Sequence, residues 1–165
     1  MKRQWEMTTS FGKFYLLASN RGLHAVGFKK FDAEFIPSLS GSEDSTFHLN
    51  QAVQQISEYL QGQRKAFDLK LDFHGTFFQK KVWQQLTCIP YGKTFSYKEV
   101  AALINHPDAV RAVGTANGKN PLCLIIPCHR VISTDGSLGG YSGGLTLKNK
   151  LLQLERSISE SSFML

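Results

Sequence analysis

An apolar run over residues 122–126, with a proline on each side of it, constrains the fold more than any other stretch of this chain. Four of its five residues are Leu or Ile, a composition typical of a buried strand. Proline has a fixed φ and no amide donor, so Pro127 must interrupt strand pairing. We therefore predict a buried strand that ends in a turn at Pro127.

Three polar side chains follow that turn directly, those of Cys128, His129 and Arg130. Elements that end in turns commonly carry chemistry, since the scaffold holds the turn rigid. A cysteine is nucleophilic as the thiolate, and an imidazole can take its proton. Neighbouring side chains diverge, so a bridging water is one route for that proton. Cys123 lies inside the apolar run and is better explained as a buried side chain without a chemical role.

A catalytic imidazole is usually oriented by a carboxylate. Downstream of His129 the acidic residues are Asp135, Glu155 and Glu160. Only Glu155 lies on a helix whose leucines form an apolar face, so Cys128, His129 and Glu155 are a candidate catalytic group. An exposed glutamate at the end of a helix is the commoner alternative.

Composition excludes several classes of protein. The 165 residues are 42% hydrophobic, as in one or two globular domains. The first residues lack the apolar core of a signal peptide, and no run is long enough to span a bilayer. Three cysteines without CxxC spacing argue against a disulfide framework, and the histidines lack zinc-site spacing. We expect a cytoplasmic protein that has no metal, cofactor or membrane contact.

The formal charge of +6 is concentrated in one segment. Residues 75–130 hold seven basic and two acidic side chains, a net charge of +5. Such an excess is either a solvated face or a binding surface for a polyanion.

The pattern along the chain predicts an α+β fold. Residues 1–74 read as a small domain with a hairpin (12–19 and 22–28), a loop at 37–46, a helix ending near Gly62 and an alternating strand at 67–73. Residues 75–157 read as a mostly helical domain, and residues 158–165 as a loose tail. In the helical domain, a capping box at Ser96 opens a helix over 97–104, and a second helix over 107–117 completes a helix-turn-helix.

The second helix of this motif is unusual because most of its side chains are small. Arg111 is the only long side chain in its first two turns, and the small residues are Ala109, Ala112, Gly114 and Ala116. A helix that reads bases in the major groove carries several long polar side chains. Small residues instead either pack internally or let the backbone approach a minor groove that Arg111 enters.

From Thr76 to Arg156 the sequence resembles the methylated-DNA–protein-cysteine methyltransferases, which repair 6-O-methylguanine by direct reversal. The matching motifs, in order, are Ile89-Pro90-Tyr91-Gly92, Arg111-Ala112-Val113-Gly114, Asn120-Pro121, Pro127-Cys128-His129-Arg130-Val131 and Tyr141-Ser142-Gly143-Gly144-Leu145. The resemblance implies a ribonuclease-H-like N-terminal domain and a winged-helix-like C-terminal domain. It also implies a monomer that binds alkylated duplex DNA in the minor groove, independently of sequence.

The resemblance implies a role for each motif residue. Cys128 would accept the alkyl group irreversibly, with His129 as base through a water and Glu155 orienting the imidazole. Tyr97 would donate a hydrogen bond to the departing guanine, and Ser142 would contact its oxygen. The remaining expected site residues line the pocket, bind DNA or tie the elements together: Tyr141, Gly143, Arg111, Ala112, Gly114, Arg130 and Asn120.

Two departures from the family stand out. The chain lacks the N-terminal cysteines with which some members bind zinc, so no metal is expected. Cys123 stands where some members have a second proline, a difference that would reshape the pocket. The expected substrates are 6-O-methylguanine and 4-O-methylthymine.

Two other functions fit parts of the pattern. A DNA-binding regulator could sense damage or oxidation through Cys128 without repairing it. A cysteine hydrolase could use the same thiol and imidazole with turnover.

Overall fold

The computed structural model describes residues 2–32 and 43–161 and divides the chain into two compact units, residues 1–74 and 75–165. The first unit holds a three-stranded sheet and a helix, and the second is mostly helical. The predicted α+β class is confirmed. Within the described ranges, no helix has both the length and the apolar content needed to cross a bilayer.

The sheet of the first unit is antiparallel, with the order β1-β2-β3. Its strands are β1 (Lys2–Thr9), β2 (Gly12–Ser19) and β3 (Gly22–Gly27). The hairpin of β2 and β3 is confirmed, whereas β1 was not predicted, because its mixed charged sequence shows no clear alternation. Helix α1 (Glu43–Leu60) packs against the sheet and buries Leu49, Ile56 and Tyr59.

The strand predicted at residues 67–73 is wrong. Only Leu71 pairs there, in a single parallel bridge to Leu23. The side chain of Gln55 accepts from the amide of Asp68 and donates to its carbonyl, both at 2.8 Å. A side chain thus satisfies backbone groups that a strand partner would otherwise take. The loop predicted at 37–46 falls partly outside the described residues, and residues 43–46 belong to α1.

The second unit has four α-helices among its described residues: α2 (Phe77–Leu86), α3 (Tyr97–Leu103), α4 (Val110–Gly118) and α5 (Leu145–Ser161). The predicted capping box at Ser96 is present, since its hydroxyl accepts from the amide of Glu99 and the Glu99 carboxylate accepts from the amide of Ser96. Helices α3 and α4 pack together as a helix-turn-helix, and Trp83 of α2 donates to the carbonyl of Ala116 at 2.8 Å. Strands β4 (Phe95–Ser96) and β5 (Val131–Ile132) form a short parallel pair.

Three expected boundaries or elements of this unit differ from the structure. Helix α4 begins at Val110, because Pro107 lies in an exposed turn closed by the amide of Ala109 on the carbonyl of His106. Residues 122–126 form a buried turn instead of a strand, with Leu124 at φ 71° and the amide of Ile126 donating to the carbonyl of Leu122. Helix α5 extends to Ser161, past residue 158, where a loose tail was expected.

Candidate active site

The turn before Cys128 is held by the side chain of Asn120. Its Oδ1 accepts from the amide of Leu122 at 2.9 Å, and its Nδ2 donates to the carbonyl of Ile126 at 2.8 Å. Asn120 is itself buried, so these hydrogen bonds compete little with water. Directly after the turn, Cys128–Arg130 form a 3-10 helix. Asn120, which directly follows the C-cap residue of α4, therefore fixes the position of Cys128.

Cys128 is only 2% exposed, yet it borders a cavity of about 490 Å³. The cavity lies between α4, the start of α3 and the glycine-rich loop (residues 136–144). Its other lining residues are Tyr97, Gly114, Asn117, Gly118, Ser133, Gly139, Gly140, Tyr141 and Ser142. A sulfur in this position is shielded from bulk water but open to a flat ligand that enters the cavity.

Glu155, on α5, lies at the centre of a buried polar cluster. Nε2 of His129 donates to its Oε1 at 2.8 Å, and Nε of Arg130 donates to its Oε2 at 2.9 Å. The amide of Gly92 donates to the same Oε2 at 3.0 Å. His129 and Glu155 are both fully buried. The carboxylate therefore holds the imidazole in one orientation and one tautomer, with the proton on Nε2.

The pKa shifts in this cluster show which groups are charged. Burial raises the pKa of Glu155, but the hydrogen bonds and charges of His129 and Arg130 outweigh it and bring the pKa to about 2. Burial, together with the charges of Arg130 and Lys148, lowers the pKa of His129 although the hydrogen bond and charge of Glu155 act in the opposite direction. At neutral pH the cluster thus contains a neutral imidazole, a carboxylate and a guanidinium. A neutral imidazole with its proton on Nε2 can accept another at Nδ1.

The Cys128 thiol has a raised pKa in this site. A side-chain hydrogen bond with Cys123 and burial raise the pKa of Cys128, while the same hydrogen bond lowers the pKa of Cys123. Asn120 and the charge of Lys148 act in the opposite direction on Cys128. A thiol that is protonated at neutral pH needs a base before it can attack, and His129 is the neighbouring residue able to serve.

Lys148 is a residue of the site that the sequence analysis missed. It is fully buried on α5, and its Nζ donates to the carbonyls of Val131 at 2.6 Å, Gly140 at 3.1 Å and Leu138. Burial lowers its pKa to about 8, against the opposing effect of Cys128. Lys148 therefore ties the glycine-rich loop to β5. A sequence signal existed, since Lys148 lies three residues before Leu151 and seven before Glu155, on one helical face.

Asn117 was also missed. This buried side chain lines the cavity from α4, and its Nδ2 lies 3.4 Å from the carbonyl oxygen of Cys128. Its Oδ1 has no hydrogen-bond partner within the described part of the chain, a place that an ordered water can fill. Asn117 connects α4 to the backbone of Cys128 directly.

Tyr97 and the glycine-rich loop form the opposite side of the cavity. A Cβ on Gly139 would lie 2.9 Å from the Tyr97 hydroxyl, and Gly139 has φ 66°, so glycine is required there. Burial raises the pKa of Tyr97, so its hydroxyl keeps its proton and can donate. Ser142 lies on the same loop, with its Oγ 3.5 Å from Sγ of Cys123. Tyr141 also lines the cavity and Gly143 follows in the same loop.

Helix α4 presents Arg111 and Ala112 to solvent, while Gly114 borders the cavity beside the Tyr97 ring. Ala116 is buried against Trp83, so the small residues of α4 serve both internal packing and the cavity.

Arg130, which was expected to bind DNA, is buried. It is 7% exposed, and its guanidinium donates to Glu155 and, at 2.7 Å, to the carbonyl of Ile89. The hydrogen bonds to the Glu155 carboxylate neutralise the charge of Arg130 within the helical unit. No group of three or more potential metal ligands occurs among residues 2–32 and 43–161.

Comparisons with known proteins match both units. The family model "6-O-methylguanine DNA methyltransferase, ribonuclease-like domain" matches residues 6–73, and "6-O-methylguanine DNA methyltransferase, DNA binding domain" matches residues 77–157. A methylated-DNA–protein-cysteine methyltransferase from Mycobacterium tuberculosis is 50% identical over 86% of both chains. One from Methanosarcina barkeri is 44% identical over 88% of this chain and 92% of its own.

The fold is similar to that of solved structures. Mycobacterium tuberculosis OGT in complex with DNA superposes with a TM-score of 0.83 at 38% identity, over 93% of this chain and 92% of that one. The O6-methylguanine methyltransferase structure from the same organism gives 0.79 at 39% identity, over 95% and 94%. The chain belongs to the family of methylated-DNA–protein-cysteine methyltransferases.

Proposed function

We propose that this protein repairs alkylated duplex DNA by moving the alkyl group from 6-O-methylguanine, or from 4-O-methylthymine, onto Sγ of Cys128. The observation that carries the proposal is the arrangement around Cys128. Its thiol lines the cavity, and the next residue, His129, forms a buried hydrogen bond with Glu155. The membership of the chain in the methyltransferase family supports the same reaction.

The damaged base must leave the duplex to reach the sulfur. Its alkylated oxygen is inaccessible inside the stack, and extrusion costs about a few kcal/mol. Arg111 is exposed on α4. In this proposal its side chain enters the minor groove and fills the vacated space. The exposed Ala112 beside it allows close approach of the helix. Contacts of this kind carry no sequence preference, and one chain suffices for them.

The transfer itself is an SN2 displacement. His129 takes the thiol proton at Nδ1 through a water, and Glu155 stabilises the imidazolium that forms. The sulfur lone pair of Cys128 then attacks the methyl carbon, the carbon–oxygen bond breaks, and the electron pair goes to the guanine. Hydrogen bonds from Tyr97 and Ser142 stabilise this negative charge. The resulting thioether has no route to hydrolysis, so each molecule acts once.

The mass of the intact protein after incubation with methylated duplex tests this function. We expect one added methyl group per chain, located on Cys128 by peptide mapping, and none in Cys128→Ser. Cys88→Ser serves as the matched control, because Cys88 is exposed and outside the cavity. A methyl group on Cys88 or Cys123, or none at all, would contradict the assignment. Release of more than one methyl group per chain into solution would indicate a hydrolase instead.

Extrusion of the base is tested by comparing two substrates. At saturating duplex, Arg111→Ala should slow repair by about tenfold or more, because a cost of a few kcal/mol is no longer offset. The same variant should react normally with free 6-O-benzylguanine, which needs no extrusion. Lys119→Ala, an exposed basic residue just after α4, is the matched control. Equal slowing of Arg111→Ala on both substrates would exclude the extrusion role.

A further inference from the structure

The side-chain amide of Asn117 lies at the wall of the cavity, close to Cys128. Asn117 is 5% exposed and lines the cavity from α4. Its Nδ2 donates to the carbonyl of Cys128 at 3.4 Å, which is longer than most hydrogen bonds of this type. Its Oδ1 is buried without a hydrogen-bond partner among the described residues. Buried polar groups are nearly always paired, so this oxygen has to pair with something that enters the cavity, a water or a ligand.

The carbonyl of Cys128 decides which end of the amide is left for a ligand. A carbonyl oxygen accepts hydrogen bonds and never donates them, so the NH2 group of Asn117 faces it and Oδ1 faces away. The opposite orientation of the amide would place two acceptors against each other. The remaining group is therefore an acceptor, and the ligand has to supply a donor.

We propose that Asn117 is a specificity-determining residue, whose Oδ1 accepts a hydrogen bond from the 2-amino group of the extruded 6-O-methylguanine. This inference rests on the function proposed above and names the base that the site prefers. In DNA the 2-amino group is the only N–H donor of 6-O-methylguanine, because alkylation of the oxygen leaves N1 without a proton. 4-O-methylthymine has no N–H donor, since its N3 is unprotonated for the same reason. A buried acceptor at the cavity wall therefore favours the purine.

A small movement brings Oδ1 to the base. The terminal torsion of an asparagine side chain is broad, so the amide turns about χ2 at low cost. The long contact with Cys128 loses little when this happens. Gly114 and Gly118 line the cavity together with Asn117, so a flat base meets little side-chain bulk along α4. Pairing with the amine then removes the cost of a buried acceptor that has no partner.

Removing the amine from the substrate and the amide from the protein tests the two groups as a pair. Single-turnover transfer to Cys128 is measured at saturating duplex that contains either 6-O-methylguanine or 6-O-methylhypoxanthine, which lacks only the 2-amino group. The ratio of the two rate constants should fall by about tenfold from the wild type to Asn117→Leu, because one buried hydrogen bond is lost. The missing amine also changes base pairing and the leaving group. These effects are the same in both proteins and cancel in the comparison.

Thr115→Val is the matched control, because it removes an exposed hydroxyl from the same helix, and it should leave the ratio unchanged. Asn117→Ala, which introduces no new bulk, should show the same fall as Asn117→Leu and serves where leucine disturbs folding. A residue that only holds the Cys128 backbone would slow both substrates equally, so an unchanged ratio would overturn the proposal.

The same experiment separates this inference from the function on which it rests. If neither duplex methylates Cys128 of the wild type, the proposed function itself is wrong. If Cys128 is methylated and the ratio does not change between the wild type and the Asn117 variants, only the role of Asn117 is wrong. Where the contact is present, Asn117→Leu should also narrow the preference for 6-O-methylguanine over 4-O-methylthymine by a similar factor.

Discussion

At the residue scale, Glu155 is fully buried and accepts hydrogen bonds from two separate parts of the chain: the 3-10 helix, through His129 and Arg130, and the turn at Gly92. Its partners lower its pKa from 4.5 to about 2 although burial alone would raise it. The Glu155 carboxylate therefore stabilises the fold as well as orienting the imidazole. Removing its charge would leave the buried guanidinium of Arg130 uncompensated.

Glu155→Gln is expected to lower the free energy of unfolding by about 3 kcal/mol at pH 7, because folding lowers the pKa of the Glu155 carboxyl from 4.5 to about 2. The unfolded carboxyl takes up a proton as the pH falls through its ordinary value of 4.5, while the native one stays charged down to about 2. The wild type therefore loses this stabilisation as the pH falls from about 5 to 2. The variant lacks that part of the pH dependence. Urea unfolding across this pH range measures both effects.

The matched control is Glu160→Gln, on the same helix but exposed. Its unfolding free energy should stay close to that of the wild type at every pH. A similar loss in both variants would mean that Glu155 stabilises only through general charge effects on α5.

Lys148→Met should loosen the glycine-rich loop. The substitution keeps the apolar stem but removes an ammonium that donates to three carbonyls. Hydrogen bonds from a charged group contribute about 1.5–3 kcal/mol, so amide exchange in residues 138–142 should accelerate by about tenfold or more. Alkyl transfer should slow as well, because Tyr141 and Ser142 lie on this loop. Lys150→Met, exposed on the same helix, should change neither rate. Unchanged exchange in Lys148→Met would show that other contacts hold the loop.

At the element scale, the turn at Gly92 and helix α5 fit together too closely for any larger residue. Gly92 has φ 76°, and a Cβ there would lie 2.2 Å from Oγ of Ser159 and 3.2 Å from the carbonyl oxygen of Glu155. The close contact brings the Gly92 amide within 3.0 Å of the Glu155 carboxylate. Glycine at this position is thus needed for the position of the Glu155 carboxylate.

Gly92→Ala should destabilise the protein by about 2 kcal/mol or more, from left-handed backbone strain together with displacement of α5. Adding Ser159→Ala removes the Oγ and should restore only part of the loss, since the backbone strain remains. Gly118→Ala is the control: it has open space around its Cβ position, it ends α4, and it should be neutral or stabilising by up to about 1 kcal/mol. Thermal unfolding of the wild type and the three variants separates the cost of backbone strain at residue 92 from the cost of the clash with Ser159. Full rescue by Ser159→Ala would show that strain at residue 92 is negligible.

The elements that sequence patterns predicted correctly are those held by local interactions. The capping box at Ser96 and the hairpin of β2 and β3 depend on residues close in sequence. The strands predicted at 67–73 and 122–126 do not form, because amide side chains elsewhere hydrogen-bond to the backbone of these segments. The side chain is that of Gln55 in the first case and of Asn120 in the second. An amide side chain that replaces a strand partner leaves no periodic signal.

The candidate site shows the same division. The order of motifs was enough to place Cys128, His129 and Glu155 together, and the structure brings the last two into contact. The contact between Cys123 and Ser142 could not be foreseen, because it depends on a turn where the apolar pattern indicated a strand. The burial of Arg130 could not be predicted, because the sequence beside a nucleophile gives no sign that a basic residue there is buried.

At the scale of the whole molecule, the basic excess lies in the helical unit. Residues 75–130 carry a net charge of +5, and five of their basic side chains are exposed: Lys80, Lys93, Lys98, Arg111 and Lys119. The charge of Arg130 is neutralised internally by Glu155. The exposed charges are therefore the ones available to phosphates. In the N-terminal unit, by contrast, Lys13 is paired with Glu6 at 2.6 Å.

Binding of undamaged duplex should weaken steeply with salt, because each phosphate contact releases counterions. If about four of the exposed basic residues contact phosphates, affinity should fall about a hundredfold between 50 and 200 mM salt. Lys119→Gln should make the slope of log affinity against log salt shallower by about one, whereas Lys13→Gln should leave it unchanged. Fluorescence anisotropy on duplexes of random sequence measures these slopes. Equal slopes for the two variants would place the DNA-binding surface outside residues 75–130. A strong dependence of the affinity on duplex sequence would instead favour a regulator that reads base edges over a repair protein that contacts the backbone.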